Sequence, residues 1–585
     1  MTEGQRGMWA IDTEWGYVDN RVDEESAWEP VVLCAVNLDT GQRLHFWGRN
    51  STGLREFFRE HADDLFICHY AIAEMKYLLR LGIPLPANWC DTFLAYRFLH
   101  NSPGQLDAGL SHALHSYGLK HVDQSAKQDL REKIVRLAFN ADDPSDRQQV
   151  IDYCYSDCDG GIALYKQLGM PAIRSRMLHW VEYLKAIAKM ELRGVPFDLK
   201  SYRAIERQSP QIRDALTRDI NRTWPVYRDH SFSLGDFIEW CRSVDIAWPT
   251  KKSPVSKQSY YPLDRETFKD MSGRHPFIEH VRQVRNTIAS LGKRTLAVDR
   301  ELRRHFFSTS VFRAVTARNQ PKKFVFSGPK WMRYLIVPES AEHVLVYVDY
   351  VAQEIAVAAA LSSDVNMRAI YEAEDCHMAF AIRANAAPSN ASKATHSEIR
   401  KRYKAVNLGV QYGQTAIGIA QKLGISQSAA ENMVYQHRRE FSVFWRWSDD
   451  LTQGSFDRGW ISTSCGWRSL VPKKSNSRTW QNWPMQATGS DIMRLTITYL
   501  DQQNVQLLAP IHDGFLMTCR RSDLNALREA VNVACSAAVE QVIPGFPLRW
   551  ETSVYADRFE DPDGAPLWTR LQSILNSLPT QNALQ

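Results

Sequence analysis

The stretch VLVYVDYVAQE, Val344 to Glu354, ends an unbroken apolar run on one carboxylate, Asp349. Val344 to Val348 reads as a buried strand, and a lone Asp at its end is expensive unless it meets cations. Further on, LLAPIHDGFLMTC, Leu507 to Cys519, sets His512, Asp513 and Gly514 between two more apolar runs. Asp-Gly in that setting predicts a hairpin, with Asp513 on a tight turn. Two strand-end aspartates brought together can hold a pair of divalent ions about 4 Å apart, which clamps the attacking and leaving oxygens of a phosphoryl transfer. Between them lies RKRYKAVNLGVQYG, in which Arg400, Lys404, Leu408 and Tyr412 recur every fourth residue. On a helix they share one stripe, offering two cations to a polyphosphate and an apolar, aromatic surface to a sugar or base. Each cluster alone is commonplace, since a basic pair usually decorates a solvated helix face and a strand-end Asp is usually a cap. The three in this order are hard to obtain by chance.

The order resembles motifs A, B and C of the family A DNA polymerases, the DNA polymerase I family. Other segments agree. Thr463, Gly466 and Arg468 in TSCGWRSLVP resemble its T-x-x-G-x-R stretch, and Arg478, Asn482, Pro484 and Gln486 in RTWQNWPMQ resemble its R-x-x-x-N-x-P-x-Q stretch. Asp375 and His377 are similar to its D-x-H element, and Arg318 in VTARNQ matches its T-G-R arginine with Ala317 in place of Gly. The resemblance covers roughly residues 180 to 560. It implies that Asp349 and Asp513 hold two Mg²⁺ ions, with Mn²⁺ able to substitute, that Arg400 and Lys404 meet the triphosphate of a dNTP, and that His377 also belongs to the dNTP site. Lys404 is also placed to protonate the pyrophosphate, Leu408 and Tyr412 to lie against sugar and base, and Glu354 to gate the sugar 2′ position. Arg318, Arg468, Arg478, Asn482, Gln486 and His512 are implied to touch primer-template DNA, where minor-groove acceptors are similar for all correct pairs.

A second constellation occupies the first third. MWAIDTEW puts Asp12 and Glu14 two apart on an apolar strand, hence on one face. HYAIAEMKYLL offers Glu74, and DYCYSD offers Tyr153 and Asp157 four apart on a helix. Four carboxylates and a tyrosine can hold two divalent ions and orient a water against a phosphodiester. The order resembles the 3′-5′ proofreading exonucleases of the ribonuclease-H-like, DnaQ type, including the Asp91-Thr92 pair. Where that family has H-N-x-x-F-D, this chain has His69, Tyr70 and Glu74, which keeps a carboxylate and predicts retained nuclease activity.

With 585 residues, of which 44% are hydrophobic, the chain has material for three or four domains. A net charge of +5 is only mildly basic, so a polyanion must be held by local patches. Ten cysteines without a C-x-x-C pair read as reduced thiols in a cytoplasmic protein of a bacterium or phage-infected host. MTEGQRGMWAID passes straight into the first strand, which leaves no signal peptide, and no apolar stretch approaches a membrane span.

The expected fold is multidomain, α/β and α+β: a ribonuclease-H-like exonuclease domain, then a right-hand polymerase of palm, fingers and thumb. The expected boundaries are exonuclease 1–170, thumb 175–310, palm 311–364, fingers 365–455, palm again 456–573 and a frayed tail 574–585. MLHWVEYLKAIAKMELRGVPFD, with a Gly-Val-Pro stop, reads as the start of the thumb, and Pro249 to Pro262 as a surface loop. With Arg282, Arg285, Lys293 and Arg294 that loop could track DNA, or be an ordinary solvated basic loop. No separate 5′ nuclease precedes the first strand, so the chain resembles compact replicases of phages and plasmids, monomeric and acting on primer-template DNA and dNTPs. Some of these copy modified bases such as 2-aminoadenine. Repair or translesion synthesis, a nuclease with a vestigial polymerase, and a non-catalytic scaffold are the alternatives. The last two predict a lost metal carboxylate, and none is lost. Leu408 stands where the family has Phe or Tyr, Gly514 where it has an acidic residue, and Val351-Ala352 where it has Ser-Gln. Leu408 predicts discrimination against dideoxynucleotides, and Gly514 is read as the residue a tight turn wants.

Overall fold

The computed structural model describes residues 7–578 except 23, 50–52, 106, 120–123, 254–255, 292–295 and 512. The strand Met8–Tyr17 lies at the centre of a five-stranded sheet, with Trp28–Asn37 antiparallel on one side and Leu65–Cys68 parallel on the other. Arg43–Trp47 and Asn88–Asp91 form the edges. Strand alternation decides what each face does. Trp9 and Ile11 enter the main core, whereas Ala10 and the carboxylates Asp12 and Glu14 face the helix Pro144–Gln167, whose Cys154 and Cys158 are buried thiols. All ten cysteines are free.

The helix Met170–Arg193 leaves this unit and stops at Gly194, whose φ of +63° favours glycine and where a Cβ would lie 2.7 Å from the Phe306 ring. Its Trp180, Tyr183, Leu184 and Ile187 join the main core with the N-terminal sheet and the long helix Ser477–Gln502. The sequence pattern reads as the start of the thumb; in the fold this helix, apolar on several sides, packs as a shared wall between two units. A second core, around Phe237, Trp248 and Phe268, belongs to the segment that follows, and it includes Leu571 and Ile574 of the helix Ala565–Ser577. The chain is therefore helical through Ser577, with Ile574 3% exposed, where a frayed tail was expected. The stretch expected as a loop between Pro249 and Pro262 forms a small exposed hairpin, Lys251–Lys252 against Ser259–Tyr260. Its cationic neighbours are engaged locally: Lys251 with Asp264, Arg282 with Glu279, and Arg285 with the Leu263 carbonyl and the Phe232 and Phe268 rings. Lys293 and Arg294 lie outside the described residues.

The C-terminal half is built on an antiparallel four-stranded sheet in the order Leu507–Ile511, Gly514–Arg520, His343–Tyr350, Trp550–Tyr555. Val344, Val346 and Val348 bury into the main core and Leu345 into the second, so the sheet is sandwiched. Helices Ser477–Gln502 and Leu524–Val542 cover one face. Between the first and second visits of the chain to this sheet run six helices from Val365 to Arg458, among them Cys376–Arg383 and Ser397–Gln411. Among the described residues no helix is long and apolar enough to cross a membrane.

Candidate active sites

Asp349 closes its strand in register with Gly514 on one neighbour and Glu551 on the other, and the Tyr350 N–H donates to the Asp513 carbonyl at 3.3 Å. The two aspartates thus sit at adjacent strand ends. Ile511 pairs with Gly514, so Gly514 is the first residue of the returning strand rather than a turn residue. Its backbone is not left-handed. A Cβ there would lie 2.6 Å from the Tyr347 hydroxyl and closer still to the Val348 carbonyl oxygen, so close approach is what selects glycine. His512 lies outside the described residues. Burial, then the Asp513 charge, pushes the Asp349 carboxyl up to about 6, while the Tyr347 hydroxyl donates to it at 3.3 Å.

Arg318 spans this centre, donating to Glu354 at 2.9 Å and Asp513 at 3.2 Å. It is expected at DNA, and in the fold it pairs with Glu354 and Asp513. Burial holds the Glu354 carboxyl above its ordinary range against the opposing pull of Arg318. The Gln411 side chain donates to the Glu354 carbonyl at 3.0 Å, linking the helices Gln353–Ser362 and Ser397–Gln411. Ala317 has φ +60°, which accounts for the family's glycine at this place and means that alanine here carries strain.

On the helix Ser397–Gln411, Arg400 pairs with Asp375, whose carboxylate also caps the next helix by accepting from the His377 and Met378 N–H groups at 3.1 and 2.9 Å. His377 is buried, and burial with the nearby Lys404 pushes its imidazole down to about 4, so it is neutral near pH 7. Its buried Nδ1 has no partner among the described residues, which suits a ligand that donates or accepts there. Lys404 and Tyr412 are exposed and Leu408 half-buried, so the predicted stripe has one open side. Arg478 is exposed beside Gly413 at the end of the same helix, where a Cβ would lie 2.9 Å from its side chain. Gln486 is half-buried, and Asn482 donates to the Arg478 carbonyl at 3.1 Å while its Oδ1 is buried without a protein partner. Arg468 departs from the others. Its guanidinium stacks 4.9 Å from the Phe98 ring of the N-terminal unit.

In the N-terminal unit, Asp12, Glu14 and Asp157 each bring one ligand atom to within 4.8 Å of the others. Glu74 is buried beside them, and burial followed by the Asp12 charge holds its carboxyl well above the ordinary range. Asp12 and Glu14 are raised by burial first and by neighbouring carboxylates second. One oxygen each of Asp12 and Glu74 is buried without a partner among the described residues. Crowded, desolvated and incompletely bonded carboxylates fit a divalent cation. Tyr153 is one helical turn before Asp157, as predicted. Asp91 has a structural task, capping the helix Thr92–His100 and accepting from the Tyr70 and Ala71 N–H groups at 3.0 and 3.1 Å. Tyr70 has φ +78°, a conformation Asn tolerates better, and its hydroxyl donates to the Thr309 carbonyl. Lys127, on the helix Gln124–Val135, pairs with Asp157 and lies 5.1 Å from the centre of the Tyr153 ring. Sequence reading missed it because QSAKQDLREKIV is indistinguishable from a solvated helix.

Residues 323–554 match the family model described as DNA polymerase family A. DNA polymerase I of Streptococcus pneumoniae (strain ATCC BAA-255 / R6) is 26% identical over 231 residues, 36% of this chain and 26% of that protein. The thermostable DNA polymerase I of Thermus aquaticus is 27% identical over 229 residues, 37% of this chain and 27% of that protein. The chain thus spans about a quarter of the length of these curated relatives. Among solved structures, the "POL domain of Pol1 from M. smegmatis complex with DNA primer-template and dNTP" superposes with a TM-score of 0.70 at 19% identity, covering 96% of this chain and 97% of that one. At that identity the likeness shows the fold.

Proposed function

We propose that this chain, whose residues 323–554 are a DNA polymerase family A domain, extends primer 3′ ends with dNTPs on a DNA template and trims them in the 3′-5′ direction. The observation that carries the synthetic reading is the pairing of Asp349 and Asp513 at adjacent strand ends, with Asp349 raised by burial and then by the charge of its neighbour. Two Mg²⁺ ions bound there would lower the pKa of the primer 3′-hydroxyl and neutralise the triphosphate, with Mn²⁺ able to substitute. The protein's own groups do the rest. Arg400, held by Asp375, and the exposed Lys404 bind the phosphates, and Lys404 carries a proton to the pyrophosphate. Glu354, fixed by Arg318, fills the space a ribose 2′-hydroxyl would need. Tyr412 and Leu408 meet base and sugar, and Arg318, Arg478, Asn482 and Gln486 the primer-template.

The Asp12, Glu14 and Asp157 cluster, with Glu74, supports the trimming activity, in which Tyr153 orients the attacking water. Synthesis and trimming in one chain suit a replicase of a phage or mobile element. The synthetic reading is tested by primer extension with purified protein and Mg²⁺. Wild type should add template-directed dNTPs, and Asp349→Asn should lower the rate by at least about a thousandfold, in line with loss of metal-assisted charge stabilisation. Extension that continues in Asp349→Asn, or that ignores the template base, would refute it.

A further inference from the structure

The loop from Phe312 to Arg318 enters the synthetic centre under constraint. Phe312 and Ala317 have left-handed φ values of +52° and +60°, which non-glycine residues keep only where the surroundings over-determine them. The loop closes on itself through Ala314 N–H to the Arg318 carbonyl at 3.0 Å and Ala317 N–H to the Ala314 carbonyl at 2.8 Å. Four of its carbonyls are then gripped from outside. Arg494 donates to Ala317 at 3.1 Å, and Trp467 and Trp483 donate to Val315 at 3.3 and 3.1 Å. The remaining donors come from the helix Thr92–His100 of the N-terminal unit and the residue after it. The Arg97 guanidinium donates to Phe312 at 3.0 Å and Arg313 at 2.9 Å, and the Asn101 amide donates to Val315 at 2.8 Å.

Arg97 has little other reason to be where it is, and Asn101 ties the loop to a neighbouring strand. Arg97 is 2% exposed and has no carboxylate partner among the described residues; its third bond is to the Gln105 carbonyl at 2.9 Å. A buried cation without a counter-charge is retained only where its donors are needed. Asn101 is 1% exposed, and besides Val315 it holds the Arg468 carbonyl at 2.8 Å and accepts from the Leu470 N–H at 2.7 Å. Trp180, between Phe98, Phe312 and Trp467 at ring separations of 5.3, 5.8 and 5.3 Å, seals the seam.

We propose that Arg97 and Asn101 are positioning residues of the synthetic centre: from the N-terminal unit they fix the Phe312–Arg318 loop and thereby hold Arg318 between Glu354 and Asp513. The inference rests on reading that centre as a DNA polymerase. A guanidinium misplaced by about 1 Å costs rate without costing fold, so the effect should be on catalysis by folded enzyme.

The test measures single-turnover incorporation at saturating dNTP for the full chain in an Asp12→Ala background, which silences trimming. Arg97→Met and the milder Asn101→Ala should each slow incorporation about tenfold, with Arg97→Lys regaining part of the rate. In an Arg318→Ala background the same substitutions should slow it by less than about twofold, because a residue acting through Arg318 has nothing left to act through. A merely structural residue would reduce the active fraction by the same factor in both backgrounds. Wild-type rates in folded Arg97→Met and Asn101→Ala, or equal losses with and without Arg318, would overturn the proposal. A wild-type chain that extends no primer would overturn the polymerase reading and this inference with it.

Discussion

Tyr347 and Gly514 form one packing unit beneath Asp349: the glycine leaves room for the phenol, and the phenol's hydroxyl reaches the carboxylate. A side chain at residue 514 must displace Tyr347 or part the two strands at the Val348 carbonyl. Gly514→Ala should therefore cost about 1 to 3 kcal/mol, the usual range for overpacking a filled core, measured by urea unfolding. A change within about 0.5 kcal/mol, the range of ordinary surface substitutions, would show that the close approach relaxes freely. The placement of Asp349 and Asp513 at strand ends is legible because a strand ending on a charge is a local pattern. The reason for Gly514 was not, since the contact that selects it lies on another strand. Arg97 was equally hidden: in TFLAYRFLH it reads as one cation on an apolar helix, and its partner Phe312 is 215 residues away.

Among elements, the helices Gln353–Ser362 and Ser397–Gln411 meet where Gln411 donates to the Glu354 carbonyl, and Arg318 fixes the Glu354 carboxylate from the other side. A side chain held in this way, if it stands at the sugar 2′ position as proposed, would exclude by volume rather than by a soft preference. Glu354→Ala in a trimming-deficient background should raise incorporation of ribonucleotides relative to deoxynucleotides by about one to two orders of magnitude, the scale of a steric pocket's discrimination. An unchanged ratio would remove Glu354 from that role. The four-residue spacing of Arg400, Lys404, Leu408 and Tyr412 gave this helix its face in advance, because periodicity is intrinsic to the element. The helix Met170–Arg193 is legible by the same kind of reading. Its apolar spacing predicted a helix correctly but could not say that both neighbouring units would claim its faces.

At the scale of the whole molecule, two acid clusters load the fold with repulsion that cations relieve. Asp12, Glu14 and Glu74 are raised by burial and then by neighbouring carboxylates, and Asp349 is raised from 3.8 to about 6. For an acid raised in the folded state, the native chain binds the proton more tightly, so its stability contribution is full below the unfolded pKa and lost as pH rises through the folded one. For Asp349 that window runs from about 4 to about 6. A divalent ion takes the proton's place only above it. Millimolar Mg²⁺ should therefore raise Tm more at about pH 8 than at about pH 5, as binding to the native state alone stabilises by mass action. Thermal unfolding followed by intrinsic fluorescence reads this, and an equal or larger shift at the lower pH would contradict it.

The central claim is that one chain carries two separately metal-loaded phosphoryl-transfer centres, one building the primer strand and one trimming it. The most direct measurement follows a labelled primer-template with and without dNTPs in wild type, Asp513→Asn and Asp12→Ala. The two sets of carboxylates lie on different sheets, so the account predicts that Asp513→Asn abolishes extension and still trims, while Asp12→Ala extends and no longer trims. Loss of both activities in either folded variant, or retention of both in both, would contradict it.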